Sequence, residues 1–216
     1  MGKLIVIEGL DGCGKTTQIN LLKKQLGDDV EYIKFPNYSD ASGSLIKMYL
    51  AGEFGAASDC SNAYSASLLY TVDRFASYKK TWEKDYLGSK TILCDRYTSS
   101  NIIHQMSKLP SNERATYMNW LHDLEFNKVG LPRPDAVIFL DVPIEISQRL
   151  MSERYKGDES KKDIHENNIE YLNKCYECAK LAAKYLEWHV IECTSENKMR
   201  PIKDINKEIL EIISKI

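Results

Sequence analysis

The chain has 216 residues, 43% of them apolar and 28% charged, enough for one sizeable core and consistent with a single domain over 1–216. Its 29 Lys and Arg against 31 Asp and Glu give a formal charge of −2, so no bulk field draws it to nucleic acid or anionic lipid and any anion site has to be local. No apolar run approaches the roughly 20 residues that span a bilayer, which excludes a membrane helix.

Taken in chain order, Met1-Gly2-Lys3 leads directly into a strand without the layout of a signal peptide. Short apolar runs with β-branched residues at 4–7, 30–35, 91–94, 136–140 and 189–193 predict five strands. Between them, helical spacing predicts helices over 15–26, 44–50, 62–86, 112–127, 144–153, 163–185 and 202–213. Strands alternating with helices imply an α/β fold, a parallel sheet covered by helices on both faces. No repeat or linker composition divides the chain. The polar interval 153–166 lacks apolar periodicity and is expected to be a short lid, a plain helix-helix connection being the alternative.

The six cysteines lack the framework of a small secreted scaffold and read as reduced thiols, which fits a cytoplasmic protein. Cys175 and Cys178 have C-x-x-C spacing but share an apolar helix face with Ile169, Leu172, Ala179 and Ala182, so core packing is expected there in place of zinc. Trp82, Trp120 and Trp188 read as core or interface anchors.

Gly9-Leu10-Asp11-Gly12-Cys13-Gly14-Lys15-Thr16 follows the first strand and opens the first helix, matching G-x-x-x-x-G-K-[ST] with both flanks in place. Glycines let successive N–H groups converge on a polyphosphate, and the helix N-terminus, running on to Thr17, adds positive dipole. Lys15 is expected at the β- and γ-phosphates of ATP, and the Thr16 hydroxyl on Mg²⁺. Cys13 could be a reactive thiol at a helix N-terminus or simply a small side chain that fits. The acceptor stays open, because the same cradle serves switches, motors and kinases.

The strand at 91–94 runs into Asp95-Arg96-Tyr97, and in an open α/β sheet the carboxyl ends of strands line the ligand crevice. Asp95 and Arg96 are therefore expected to face substrate. A second pair, Asp73-Arg74, lies in the helix at 62–86 with Tyr70 four residues before Arg74 on the same face, a ring beside a guanidinium. Alone, that pair would read as an exposed charge pair and Tyr70 as core.

In this order, Glu8-Gly9-Leu10-Asp11-Gly12, Phe35-Pro36, Tyr70 with Asp73-Arg74, Asp95-Arg96-Tyr97 followed by Ser100 and Gln105, Pro134-Asp135 leading to Leu140-Asp141, and a basic lid, the motifs resemble the thymidylate kinase family. The resemblance covers essentially the whole chain. It implies the P-loop kinase fold on a five-stranded parallel sheet, a short basic lid, ATP and Mg²⁺ on the donor side, dTMP as acceptor, and a homodimer to which the helix at 62–86 contributes. It also implies Asp11 at the sugar 3′-hydroxyl, Arg96 at the acceptor phosphate, Tyr70 on the thymine face and Arg74 at the base edge. Ser100 and Gln105 line the base and sugar pocket, with Phe35 and Pro36 counted on the same side. Asp95 would organise Arg96 or metal-bound water, and Glu8 is a further candidate for placing Mg²⁺ or its waters.

Two departures stand out. Many members read Phe-Pro-x-Arg, whereas this chain reads Phe35-Pro36-Asn37-Tyr38, which leaves Lys34 as the substitute charge; and His104 stands where an aromatic ring commonly guards the sugar 2′ position. Some members carry a catalytic arginine directly after the loop aspartate, the place of Gly12 here. The other family pattern supplies it from the lid, which offers Arg149, Arg154, Lys156, Lys161 and Lys162, with Arg154 the first choice and Arg149 the second. Lys15 and Arg96 complete the expected catalytic group. A guanine-reading N-K-x-D motif is missing, which argues against a switch. Other nucleotide or nucleoside acceptors stay open, since one methyl group is worth only about 1–3 kcal/mol.

Overall fold

The computed structural model describes residues 1–54, 62–154 and 168–216. Strands β1 (Leu4–Glu8), β2 (Val30–Lys34), β3 (Thr91–Asp95), β4 (Ala136–Asp141) and β5 (His189–Glu192) form one parallel sheet in the order β2-β3-β1-β4-β5. β1 and β4 are buried at every position, because a central parallel strand has helices on both faces. Alternate residues then serve two cores. Ile5, Ile7, Leu93, Ile138 and Leu140 pack with Ile19 and Leu22 of α1 (Lys15–Leu26) and with Ile205 and Ile209 of the last helix (Ile202–Ile213). Leu4, Val6, Ile92, Cys94, Val137 and Phe139 form the core of the opposite face.

That second core is closed by helices that also build the site. α2 (Ser42–Leu50) leads to α3 (Asn62–Ser77), which continues through a π-helical turn at Tyr78–Trp82 into α4 (Glu83–Leu87), so the helix expected over 62–86 is present with a widened turn that packs the fully buried Trp82. α5 (Thr98–His104) has no counterpart among the predicted elements. Next come α6 (Arg114–His122), extended by a π-helical Asp123–Lys128, then α7 (Ile144–Arg154), α8 (Ile169–Tyr185) and α9 (Ile202–Ile213). A small hairpin, β6 (Thr194–Ser195) and β7 (Lys198–Met199), turns through Glu196 and Asn197, both at positive φ, the backbone that a tight two-residue hairpin requires.

Most of the expected lid, 153–166, lies outside the described residues, including Lys156, Lys161 and Lys162. Arg154 is the last residue of α7, and its side chain is likewise outside the description. Cys13, Cys94, Cys175, Cys178 and Cys193 are free and buried, while Cys60 is outside the described residues. Among the described residues no helix is long and apolar enough to cross a membrane.

Candidate active site

The carboxyl edge of the sheet collects Glu8, Lys34 and Asp95, and the glycine loop starts there. Gly14, at φ +85, turns the chain into α1, and no side chain among the described residues caps that end, which leaves the first-turn N–H groups for an anion. Gly12, at φ +80, lies against α7: a Cβ there would stand 2.6 Å from the Ser147 carbonyl oxygen and 2.9 Å from Met151 Cγ. No side chain fits at that position. Lys15 is buried with Nζ 3.9 Å from Asp95 Oδ1, while Thr16 and Thr17 are exposed at the start of α1.

Asp95 is itself buried. Its Oδ2 accepts from the Tyr32 hydroxyl at 3.4 Å and faces Lys34 Nζ at 3.8 Å, whereas Oδ1 has no hydrogen-bond partner among the described residues. An orphaned carboxylate oxygen beside Lys15 and the loop suits a hydrated cation held by few protein ligands. No cluster of three or more His, Cys, Asp or Glu exists among the described residues. Cys13 is not activated: it is buried, and that burial raises its thiol pKa despite the nearby Lys15. The reading as a small side chain that fits is the one the structure supports.

Glu8 is fully buried and accepts from Tyr97 N at 3.3 Å, Ser99 Oγ at 2.9 Å, Ser100 Oγ at 2.7 Å and Gly9 N at 3.3 Å. It ties the glycine loop to the corner between β3 and α5. Held there, Arg96 adopts φ +69, a left-handed backbone rare for a long side chain, and turns its guanidinium back over the loop. Arg96 Nη2 donates to Asp11 Oδ1 at 2.7 Å, and Nη1 donates to Ser100 Oγ at 3.4 Å and to His104 Nε2 at 3.1 Å. Because arginine only donates, this contact requires a neutral His104 with its proton on Nδ1, the nitrogen 3.7 Å from Cys175 Sγ. Burial works against the charge of Asp11, but the Arg96 and Lys15 cations outweigh it and hold the carboxyl well below the usual range. Burial likewise opposes the charge on Arg96, and Asp11, Glu8 and Asp95 more than restore it.

Beyond Arg96 opens a cleft bordered by every acceptor-side residue expected from the sequence: Asp11, Lys34, Phe35, Pro36, Tyr70, Arg74, Arg96, Ser100, His104 and Gln105. Asp73 and Arg74 are not an exposed charge pair, since each is only 1% exposed and they face different ways. Asp73 accepts from Asn37 N at 2.8 Å and Ser42 Oγ at 2.7 Å, which anchors the turn after Phe35-Pro36. Arg74 is gripped by Glu125, a carboxylate from the π-helical end of α6. Tyr70 is half-buried with the Tyr49 ring edge-on at 6.4 Å, and Gln105 Oε1 accepts from the Tyr49 hydroxyl at 3.4 Å. Arg149 points elsewhere: it is exposed, and its Nη2 donates to the Asn197 carbonyl in the β6-β7 turn at 3.4 Å.

Sequence reasoning missed Glu125, Asn101 and Tyr171. Glu125 had a signal, standing four residues after Leu121 and eight after Tyr117, both core positions: a carboxylate on a helix's apolar face needs a buried cation. Tyr171, whose ring stacks on His104 at 6.5 Å, carried none, being an aromatic residue on an amphipathic helix.

A phosphate cradle and an aromatic cleft that meet at an Asp-Arg contact on the carboxyl edge of a 2-3-1-4-5 sheet define a P-loop kinase acting on a small ring-bearing acceptor. The thymidylate kinase family model matches residues 7–209. The chain is 33% identical over 217 residues to the probable thymidylate kinase of Methanococcus maripaludis, covering 99% of this chain and 96% of that one. It is 29% identical over 221 residues to the thymidylate kinase of Plasmodium falciparum, covering 100% and 91%. The solved thymidylate kinase of Candida albicans shares the fold, with a TM-score of 0.73 at 24% identity over 99% of this chain and 92% of that one. This chain belongs to the thymidylate kinase family.

Proposed function

We propose that this chain, working as one unit over residues 1–216, catalyses Mg²⁺-dependent transfer of the γ-phosphoryl group of ATP to dTMP, giving dTDP and ADP. The observation that carries this reading is the 2.7 Å contact between Asp11 of the glycine loop and Arg96 of the acceptor wall. It joins the two half-sites where the phosphates of two nucleotides would meet.

An oxygen of the dTMP phosphate attacks the γ-phosphorus, and the bond to the ADP oxygen breaks. The attacking group is already an anion near neutral pH, so no general base is needed, and the protein's work is alignment and charge neutralisation. Loop N–H groups from Gly9 to Thr17 and Lys15 hold the donor phosphates. Arg96 and Lys34 hold the acceptor phosphate. Asp11 accepts from the sugar 3′-hydroxyl; Tyr70 stacks on the base, worth about 1–3 kcal/mol; Arg74 meets the base edge. Thr16 and Asp95 Oδ1 are the groups that would hold Mg²⁺ and its waters, and the ion would supply positive charge against the donor phosphates. Glu8, with three hydrogen bonds from the corner and one from Gly9 N, serves instead to brace the loop.

Arg154, at the lid end of α7, is the first candidate for charge on the transferring group, and Arg149 the second. Arg154→Ala is expected to lower kcat by about 10³-fold or more while the KM for dTMP moves only a few fold; a change confined to KM removes Arg154 from that role. Leu68, Val72 and Phe75 of α3 are 46%, 50% and 43% exposed at helical spacing, an apolar stripe that supports a homodimer. Buried, unpaired cysteines support a cytoplasmic enzyme.

The test is ADP release by purified protein with Mg²⁺ and ATP against dTMP, dUMP, ribo-TMP, thymidine and no acceptor. Strong turnover with dTMP and near none without acceptor is expected. Acceptor-independent turnover, or turnover on thymidine but not dTMP, overturns the assignment.

A further inference from the structure

Among the described residues, Glu125 is a fully buried carboxylate of the acceptor side that none of the roles above uses. Its Oε2 accepts from Arg74 Nε at 2.9 Å and from the Thr98 hydroxyl at 2.5 Å, and its Oε1 accepts from Arg74 Nη2 and from the Thr71 hydroxyl at 2.8 Å. Arginine and carboxylate meet fork to fork, and the two threonines fill the remaining lone pairs. Arg74 is therefore fixed on its Nε-Nη2 edge. Among the described residues the third nitrogen, Nη1, has a long 3.4 Å contact to the carbonyl of Tyr97, which itself borders the acceptor cleft.

We propose that Glu125 is a positioning residue that sets base selectivity: it locks Arg74 so that Nη1 stands at the base edge as a fixed donor, selecting a 4-keto pyrimidine over a 4-amino one. Thymine and uracil present a carbonyl oxygen at ring position 4, and cytosine presents an amino group. A guanidinium has five N–H donors and no acceptor, so it pairs with the first and opposes the second. A loosely held arginine could swing away from the amino group. One clamped by Glu125, Thr71 and Thr98 cannot. Stability alone does not account for the pair, because a buried ion pair is often replaced by apolar residues without loss. Its place against the cleft wall does.

The inference rests on the reading of Arg74 as the base-edge contact, and the experiment separates the two. Wild-type enzyme, Glu125→Gln, Arg74→Gln and the double variant are compared by kcat and KM for dTMP and dCMP, with the KM for ATP as a check on the donor half. Glutamine keeps the shape of Glu125 but turns an N–H toward Arg74 and breaks the fork. Glu125→Gln is expected to raise the KM for dTMP about tenfold with kcat within about threefold, and to lower the dTMP-to-dCMP ratio of kcat/KM at least about tenfold. The ATP KM should hold, and the double variant should lose no more selectivity than Arg74→Gln alone.

A merely structural Glu125 would depress both substrates equally. If Glu125→Gln keeps the ratio while Arg74→Gln loses it, the positioning role is overturned and the base-edge reading stands. If Arg74→Gln also keeps it, the base-edge reading itself fails. Should Glu125→Gln not fold, Thr98→Val removes one support and leaves both charges; it is expected to lower the ratio about threefold, and an unchanged ratio overturns the proposal.

Discussion

Asp11 belongs to the phosphate loop yet pairs with the arginine that follows β3. Its carboxyl is held below the ordinary value near 3.8, so the folded state binds that proton more weakly than the unfolded chain. The sign follows from linkage: the pair's contribution to stability is complete above the unfolded pKa and is lost as pH falls through the lower folded one. In melts between pH 2 and 7, wild-type protein is expected to lose stability below about pH 4, and Asp11→Asn to lose less over the same interval. Because 40% of the Asp11 side chain is exposed, the difference should be small and weaker in salt. Parallel curves for the two proteins would refute the coupling. Gly12 makes a stronger demand. Its left-handed backbone and the Ser147 carbonyl 2.6 Å from a Cβ leave no room for alanine, and Gly12→Ala is expected to cost about 2 kcal/mol or more by chemical denaturation. The chain therefore cannot regain the family's loop arginine by substitution at this position alone.

Among the elements, α3 carries two kinds of information on two faces. Tyr70 and Arg74 look into the site, while Leu68, Val72 and Phe75 look out. Val72→Asp, a charge in the middle of the outer stripe, is expected to turn the proposed dimer into a monomer in sedimentation while leaving the helix content unchanged; a dimer that survives it would place the interface elsewhere. The inner face was readable from Tyr70 and Arg74 at i and i+4. α5 was not, because Thr98, Ser99, Ser100 and Asn101 are residues that favour turns over helix interiors. The helix forms from contacts distant in sequence, namely Ser99 and Ser100 on Glu8 and the burial of Ile102 and Ile103. The π-helical ends of α3 and α6 were legible as helix but not as widened turns, since apolar spacing changes too little over one turn. The β6-β7 hairpin, two residues a strand, is too short to show any period.

At the scale of the molecule, the sheet was legible because each central strand is a continuous apolar run, and its carboxyl edge followed from the glycine loop at the end of β1. The cleft was legible in its residues but not in its bracing. Glu8, Asp73 and Glu125 act through groups far away in the chain, and a lone buried acid does not announce its partner. That bracing has an electrostatic result. Among the described residues, three cations, Lys15, Lys34 and Arg96, and three carboxylates, Glu8, Asp11 and Asp95, stand around the proposed phosphate position, and their formal charges sum to zero. Steered association with a strongly charged site changes about tenfold or more with ionic strength. Here, kcat/KM for dTMP is expected to change by less than about threefold between 20 and 200 mM NaCl, and a steep decline would show that the field is unbalanced. A self-compensated pocket also gives orthophosphate or pyrophosphate little reason to lodge there without a base and sugar attached. In the proposed reaction the Asp11-Arg96 contact holds the guanidinium in place beforehand and has to yield when the acceptor phosphate takes it over.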